Sequence, residues 1–513
     1  MNGTIRSPFR LWLGFGAMCT GMFMAVLDVQ VVASSLTAMR EYMGLSLEAL
    51  SWIQTIYLMA EVIAIPLTGW LTQALSLRWM FAGATAIFTA ASLGCAFSNS
   101  LTPLVALRAV QGFSGGMLIP AVFTAVFTMI PERHRVLATA VAGTFAVLAP
   151  AIGPVIGGYL TQTRDWHWIF LVNILPGAAV SLIVAGFVRE GTPDWRRLTH
   201  IDIGTIATAT LFLASLELLL TQAPGRDWSG SLVYVLIAAT VIGLGWTIWR
   251  GLTLAKPFVH LRRFRNLAFS VGCGLSLVFG FGLYGSVYML SIFLGLVRGH
   301  NPLAIGEILM VTGGVQLVTA PIAAWLETRT DPRLLTAIGF GLFGAGLLAN
   351  GFETPRTDFA ALILPQVLRG LSVMLCLLPA TRLALDALPD AEVPEASAIF
   401  NLMRNLGGAI GIALIDTILT ERTPRHVAAI VAKLEAGDRS TAAFVGLPLG
   451  SFHGVPLGPI DAFTRQIVEP LVRKAALTES FNDAWLLIAG LFLLSLLAVP
   501  LIRRANPKQD VSG

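Results

Sequence analysis

Fourteen long apolar stretches follow one another along the chain, separated by short segments that contain charged and turn-forming residues. A bilayer core about 30 Å thick requires roughly 20 apolar residues in each crossing helix. The chain is therefore predicted to cross a membrane fourteen times, which places both termini on one side. The stretches begin near Leu11, Leu50, Trp79, Leu101, Val136, Trp166, Ile201, Ser231, Leu267, Pro302, Leu334, Asp358, Glu395 and Asp483.

Lysine and arginine are distributed unequally between the two predicted sides. Of the 34 basic residues, nineteen fall in the predicted inner segments and five in the short outer loops, namely Arg40, Arg164, Arg226, Arg298 and Arg356. Cytoplasmic loops collect basic residues, so both termini are predicted to be cytoplasmic, with the chain in an inner membrane. The basic pI of about 9.2 is attributed to these cytoplasmic segments, and no nucleic-acid partner is expected.

Composition agrees with a polytopic membrane protein that contacts the lipid bilayer over most of its length. Hydrophobic residues make up 55% of the chain and charged residues 12%, with a mean hydropathy of +0.76; an ordinary soluble domain carries about 25% charged residues. The four cysteines lie inside predicted spans at no metal-ligand spacing, and we expect them to be packing residues.

Two halves of the chain carry related patterns. Residues 66–71 read PLTGWL at the end of the second stretch, and residues 321–326 read PIAAWL at the end of the tenth. Two stretches later each half contains an arginine within a span, Arg108 and Arg369. Parallel repeats of six helices are typical of secondary transporters, which bind substrate near the bilayer midplane between the halves.

This repeat predicts three units. Residues 1–200 form an N-terminal six-helix bundle, 201–266 two inserted helices and a basic linker, and 267–513 a C-terminal six-helix bundle. Residues 420–482 are predicted to be an extracytoplasmic loop with helical periodicity near each end.

The fifth stretch contains Gly153, Pro154, Gly157 and Gly158 in the pattern GPxxGG. Proline interrupts the helical hydrogen-bond ladder, and glycines permit close approach of a neighbouring helix. The pattern resembles the antiporter motif of the major facilitator superfamily, which implies an all-helical membrane protein with the major facilitator fold.

Further motifs in chain order resemble the fourteen-span drug:proton antiporters of that superfamily, the Emr-type multidrug efflux permeases. They are LDVQVV at 27–32, RAVQG at 108–112, WHWIF at 166–170 and NLMRNLGG at 401–408. The resemblance implies export of drugs or other amphipathic small molecules, driven by the proton gradient with no cofactor. It also implies a periplasmic adaptor and an outer-membrane channel as partners.

Two other functions remain open at this point: an exporter of a specific metabolite such as a siderophore or a fatty acid, and a non-transporting receptor or sensor. An enzyme is not expected. Ser114 matches a GxSxG pattern, but every histidine lies in a loop or at a span end, so the required base is missing. No lysine follows a glycine, so there is no phosphate-binding Walker motif.

The loop after the second stretch departs from the superfamily pattern GxLaDrxGrr. It begins at Gly69 and reaches Arg78, but Gln73 stands where aspartate is expected and Ser76 where glycine is expected. Glutamine can donate and accept hydrogen bonds but cannot form an ion pair. We expect a gating loop that depends less on charge.

Ionisable residues inside spans are costly and mark functional sites. Counting about 1.5 Å per residue puts Asp28 and Arg108 at similar depth, roughly 12 and 10 Å from the outer side. We predict that Asp28 binds the coupling proton and Arg108 tunes it, with Glu61 as a second proton or cation site. Arg369 and Arg404 are predicted to hold helix contacts or to assist coupling.

Three further acidic residues, Glu217, Glu307 and Asp416, fall near predicted outer ends, where we expect exposure to water. Aromatic and thioether side chains suit varied amphipathic substrates. On that basis the predicted substrate-cavity residues are Met24, Tyr57, Phe113, Tyr284, Tyr288, Phe400 and Asn401.

Overall fold

The computed structural model describes residues 8–44, 47–189, 193–194, 202–254, 261–386, 388–389, 392–451 and 462–501. Throughout these residues the chain is helical or forms connecting turns, with no strand. Both chain ends and the predicted boundary at 200/201 lie outside this part. The α-helices are α1 Pro8–Met43, α2 Leu47–Ala96, α3 Leu101–Gly116, α4 Leu118–Thr128, α5 Glu132–Thr163, α6 Trp168–Leu171, α7 Ile174–Phe187, α8 Ile203–Gln222, α9 Ser231–Thr253, α10 Leu267–Ile292, α11 Pro302–Glu327, α12 Pro332–Asn350, α13 Phe359–Leu385, α14 Val393–Glu435, α15 Arg439–Val445 and α16 Ala462–Ser495.

Twelve helical stretches in the described residues are long and apolar enough to cross a membrane. One of them, Trp52–Ala96, is 45 residues long and is interrupted at Ser76, whose φ of 70° and ψ of 154° are not helical. Helix α5 is a further 32-residue helix outside that set. The protein is thus a multi-pass, all-helical membrane protein.

Packing divides the helices into two groups. In the first, α1 packs on α5 and α7, and α2 packs on α3 and α7; in the second, α10 packs on α14, and α12 packs on α13 and α16. The groups meet where α5 contacts α11 and where α14 contacts α2 and α4. Helices α8 and α9 pack on each other, and α8 also packs on α2.

The described part of the segment 420–482 is largely helical, and helices lie near both of its ends, where the periodicity predicts them. Helix α14 continues through Pro424 to Glu435, and α16 begins at Ala462; residues 452–461 lie outside the described part. The helical ends and α15 enclose a small apolar cluster that includes Leu434, Val445 and Val472. Buried apolar contacts of this kind stabilise helices. They explain why the helices here are longer than the short pieces that periodicity predicts.

One end of the helix bundle, which we call the basic end, is closed by contacts between the two groups. It carries Arg78 after the first part of α2 and Arg263 before α10. A Cβ at Gly69 of α2 would lie 2.9 Å from the Glu395 Cα of α14, so glycine permits this approach. Nearby, the Ser397 hydroxyl donates to the Pro120 carbonyl at 3.3 Å.

Candidate functional site

Asp28 of α1 lies at the centre of a fully buried polar cluster. Its carboxylate forms an ion pair with the Nη1 group of Arg108 on α3, and both side chains are inaccessible to solvent. One carboxylate oxygen, Oδ1, also accepts from Gln111 Nε2 at 2.9 Å and from Asn173 Nδ2 at 2.8 Å. The prediction that Asp28 and Arg108 share a depth is confirmed as direct contact, and Gln111 and Asn173 complete the cluster.

Close approach of α3 to α2 positions Arg108. A Cβ at Gly112 would overlap the Tyr57 carbonyl, so only glycine fits at this crossing. The Arg108 guanidinium lies 4.2 Å from the centre of the Tyr57 ring, and Arg108 Nε donates to the Ile53 carbonyl at 3.2 Å. The Tyr57 hydroxyl in turn donates to the Ala25 carbonyl of α1 at 3.1 Å.

This arrangement makes the contact between α1 and α3 depend on the charge of Asp28. A buried ion pair is stable only while both partners are charged, because removing one charge leaves the other without compensation. Protonation of Asp28 would therefore weaken the contact between α1 and α3. Arg108 would retain its bonds to Gln111 Oε1, at 2.7 Å, and to the Ile53 carbonyl.

A cavity of about 650 Å³ lies between the two groups of helices, beside this cluster. Val26, Val29 and Gln30 of α1 line it, the last two directly after Asp28. The remaining lining comes from α2, α4, α8 and α10–α14. Most of these helices contribute residues from their half away from the basic end, such as Gln54 of α2 and Ser291 of α10. With the basic end closed, the cavity is reached from the opposite end.

Three carboxylates line the cavity: Glu61 of α2, Glu217 of α8 and Asp416 of α14. Glu217 is 6% exposed, and Asp416 accepts a 2.5 Å hydrogen bond from the Tyr288 hydroxyl. The expectation that Glu217 is exposed to water is wrong, because it is buried; Asp416 is half-buried, and Glu307 is exposed as expected. An acidic residue inside an apolar stretch indicates a functional position, even close to the end of the stretch. The sequence contains this signal for Glu217 and Asp416, but their position near the helix ends favoured simple exposure to water.

The two remaining predicted arginines differ in environment. Arg369 of α13 lines the cavity and donates from Nη1 to Gln366 Oε1 at 2.9 Å. Arg404 of α14 does not line it; its Nη2 donates to Asn401 Oδ1 at 2.5 Å, and its guanidinium lies 5.5 Å from the Phe123 ring of α4. Arg404 thus holds a contact between the two groups of helices.

Of the seven predicted cavity residues, Tyr284 and Tyr288 line the cavity. The other five do not, because side-chain type does not reveal which face of a helix a residue occupies. Met24 and Phe400 are buried in the apolar core, Tyr57 supports Arg108, and Asn401 holds Arg404. Phe113 lies with Trp79 in an apolar surface groove elsewhere.

The predicted gating loop contacts the other group of helices through Gln73. Gln73 Nε2 donates to Glu395 Oε1 at 3.2 Å, while Arg263 pairs with Glu392 at 2.8 Å and with Glu395 at 2.5 Å. Arg78 instead stacks over Trp79 at 4.6 Å. A neutral amide of α2 thus bridges the two groups, and the ion pairs beside it join α14 to the segment before α10.

The GPxxGG segment lies on the wall between α5 and α1. Gly153, Gly157 and Gly158 are buried, and the helix runs through Pro154. A Cβ at Gly153 would overlap Gln30, which lines the cavity. In the described residues no cluster of three or more histidine, cysteine or acidic residues could hold a metal ion, and all four cysteines are buried and unpaired by disulfides.

Comparison with known proteins identifies the family. The family model of the Major Facilitator Superfamily matches residues 18–412. The colistin resistance protein EmrB of Acinetobacter baumannii is 36% identical over 95% of this chain and 96% of its own length. The multidrug export protein EmrB of Escherichia coli K12 is 28% identical over 94% of this chain and 93% of its own.

A solved structure, the human organic anion transporter MFSD10, has the same fold. It aligns with a TM-score of 0.60 at 14% identity, over 96% of this chain and all of that one. Family, fold and the cavity between two helical groups agree, and none of these relatives is an enzyme. The chain belongs to the major facilitator superfamily of membrane transporters, and within it to the relatives of the EmrB multidrug exporters.

Proposed function

We propose that this protein is a proton-driven exporter of drugs or other amphipathic small molecules across the inner membrane. The observation that carries the proposal is the buried Asp28–Arg108 ion pair directly beside the acid-lined cavity. An exporter needs a group whose protonation changes the helix packing around its substrate site, and this pair supplies one.

The topology of the proposal is fourteen spans with both termini in the cytoplasm. Twelve stretches satisfy length and hydropathy. Counting Trp52–Ala96 as two, because of the break at Ser76, and adding α5 raises the number to fourteen. The basic end then faces the cytoplasm in accordance with the distribution of arginine.

With this sidedness, the closed basic end and the cavity reached from the other side correspond to an outward-facing conformation. In this state the substrate leaves, and a proton binds Asp28. Loss of the ion pair with Arg108 then loosens the contact between α1 and α3 and favours return to the inward-facing state. Glu61 serves as a second proton or cation group in the same cavity.

Partners enter the proposal at the outer side. The helical ends of α14 and α16 extend beyond the apolar spans and join α15. This extension would contact a periplasmic adaptor that leads to an outer-membrane channel, as the Emr-type resemblance implies.

The test uses inverted membrane vesicles energised to form a proton gradient. A panel of unrelated drugs and cationic dyes is added, and proton release from the vesicles is recorded for wild type, Asp28→Asn and Glu307→Gln. Glu307 is an exposed acid on α11 and serves as the matched control. We expect release by several compounds in wild type and the control, and none in Asp28→Asn. Equal release by inserted Asp28→Asn would contradict the assignment.

A further inference from the structure

Arg369 is a buried cation that faces the cavity without a counter-charge. It is 2% exposed, lines the cavity, and forms no ion pair with any described residue. Its Nη1 bonds Gln366, its Nε has no hydrogen-bond partner, and no described residue accepts from Nη2. Burying a guanidinium in this way is costly unless an anion or another acceptor completes its hydrogen bonds.

The surroundings of Arg369 orient the guanidinium but do not neutralise it. Gln366 Oε1 also accepts from the Thr312 hydroxyl of α11 at 2.6 Å, so the acceptor beside Arg369 is fixed by two donors. Phe343 lies 6.0 Å from the guanidinium carbon, and Val373 follows one turn along α13. The subsite therefore combines one planar cation with apolar walls, a combination suited to a carboxylate attached to an apolar body.

Acidic residues line the same cavity as Arg369, but they belong to other helices. Glu61 belongs to α2 and Glu217 to the inserted helix α8, whereas Arg369 belongs to α13. Neither Glu61 nor Glu217 forms an ion pair or a side-chain hydrogen bond with the described residues. Trp228, which follows α8, donates to Thr417 Oγ1 of α14 at 2.8 Å, and this bond fixes the inserted pair beside the cavity.

We propose that Arg369 forms an anion-binding subsite that takes the carboxylate of a zwitterionic amphiphile, whose cationic group lies against Glu61 and Glu217. The inference rests on the proposed transport function, since it assigns the substrate class to the same cavity. It also gives the inserted helix α8 a direct role in substrate selection.

Binding is measured on the full-length protein in lipid nanodiscs, without a proton gradient, by the change in tryptophan fluorescence. Four probes share one twelve-carbon chain: N-dodecyl-N,N-dimethylglycine, dodecyltrimethylammonium, dodecanoate and dodecanol, all below their micellar concentrations. Comparing the same probe between variants in the same lipid cancels partition into the bilayer. The variants are Arg369→Gln and, as a control for loss of one positive charge, Arg329→Gln, an exposed residue stacked on Trp325.

We expect the affinity for the zwitterion, relative to that for dodecyltrimethylammonium, to be about tenfold or more higher in wild type and Arg329→Gln than in Arg369→Gln, the gain typical of a charge-assisted pair. Arg369→Gln should lose this advantage and keep its affinity for dodecyltrimethylammonium. Wild type without a carboxylate advantage, or an equal advantage in Arg369→Gln, would overturn the subsite.

Gln366→Glu provides a second test if Arg369→Gln does not fold. It places a carboxylate on Arg369 with almost no change in shape, so the internal pair should remove the carboxylate advantage. Persistence of the advantage in Gln366→Glu would overturn the proposal. The binding assay uses no gradient, so the two proposals fail separately. If wild type shows no carboxylate advantage but drugs still drive proton release in vesicles, only this inference is contradicted. If the carboxylate advantage is present but drugs drive no proton release, only the proposed function is contradicted.

Discussion

At the scale of single residues, Ser76 carries backbone strain at the predicted gating loop. Its φ of 70° and ψ of 154° fall in a region that only glycine adopts readily, and its buried hydroxyl has no hydrogen-bond partner among the described residues. The superfamily pattern has glycine at this position, so the departure from that pattern coincides with the non-helical break inside α2.

Replacing Ser76 by glycine should therefore stabilise the protein by about 1 kcal/mol or more, because both the strain and the unsatisfied hydroxyl are removed. The measurement is thermal unfolding in detergent. Ser181→Gly, in the regular helix α7, should instead lower stability, because it removes the hydrogen bond to the Ala82 carbonyl and because glycine has a lower helix propensity than serine. A lower unfolding temperature for Ser76→Gly than for wild type would show that the Ser76 backbone is not strained.

Glu353 is a second residue with a measurable consequence. It lies between α12 and α13, outside the spans and near the Trp485 indole, and neither carboxylate oxygen is within hydrogen-bond geometry of a donor among the described residues. Burial raises the pKa of its carboxyl from 4.5 to about 8. The folded state thus holds a proton that the unfolded state loses, and stability falls as pH rises from about 4.5 to about 8.

Glu353→Gln should remove this dependence. We expect the variant and wild type to unfold at similar temperatures near about pH 4.5, and the variant to be more stable by a margin that grows up to about pH 8. Asn482 contacts only the Glu353 backbone, so its bonds survive the substitution. A constant difference between the two proteins at all pH values would contradict the shifted pKa.

At the scale of helices, glycines set the distances on which the site depends. The contact between α1 and α5 places Gly153 against Gln30, and that between α2 and α3 places Gly112 against Tyr57. GPxxGG and RAVQG could be recognised from sequence because glycine and proline have few other uses inside a span. The partner helices could not, since these contacts join residues far apart in the chain.

Gly153→Ala should separate α1 from α5 and shift the cavity wall. We expect at least a tenfold loss of transport. We also expect the free energy of unfolding to fall by roughly 1–3 kcal/mol, the cost of overpacking a core. Gly16→Ala in α1 is the control, because a Cβ there has no neighbour within 4 Å. Drug-dependent proton release and unfolding temperature are compared for both variants. Equal behaviour would show that the close approach is dispensable.

At the scale of the whole molecule, the cavity explains which parts of the site were predictable. Asp28 and Arg108 could be paired because depth follows from residue count. Glu217 could not be placed at the cavity, because its position depends on α8 packing against α2, a contact between helices far apart in the chain. Tyr57 and Tyr284 look alike in sequence, yet one supports Arg108 and the other lines the cavity.

The conformation predicts a pattern of thiol labelling. All four native cysteines are buried. A membrane-impermeant thiol reagent added outside should modify Ser291→Cys, on the cavity wall, and leave Ser397→Cys at the closed basic end unmodified. Absence of labelling at Ser291→Cys from outside, with labelling once the membrane is permeabilised, would contradict the proposed orientation.

The proposed mechanism depends on proton exchange at Asp28, which can be measured without a membrane. Purified protein in detergent and weak buffer is mixed with the compound that drives the largest proton release in vesicles, and a pH indicator reports protons released as the compound binds. We expect release by wild type, and binding without release by Asp28→Asn. Equal release by both proteins would contradict this mechanism and move proton exchange to another group, with Glu61 the first to examine.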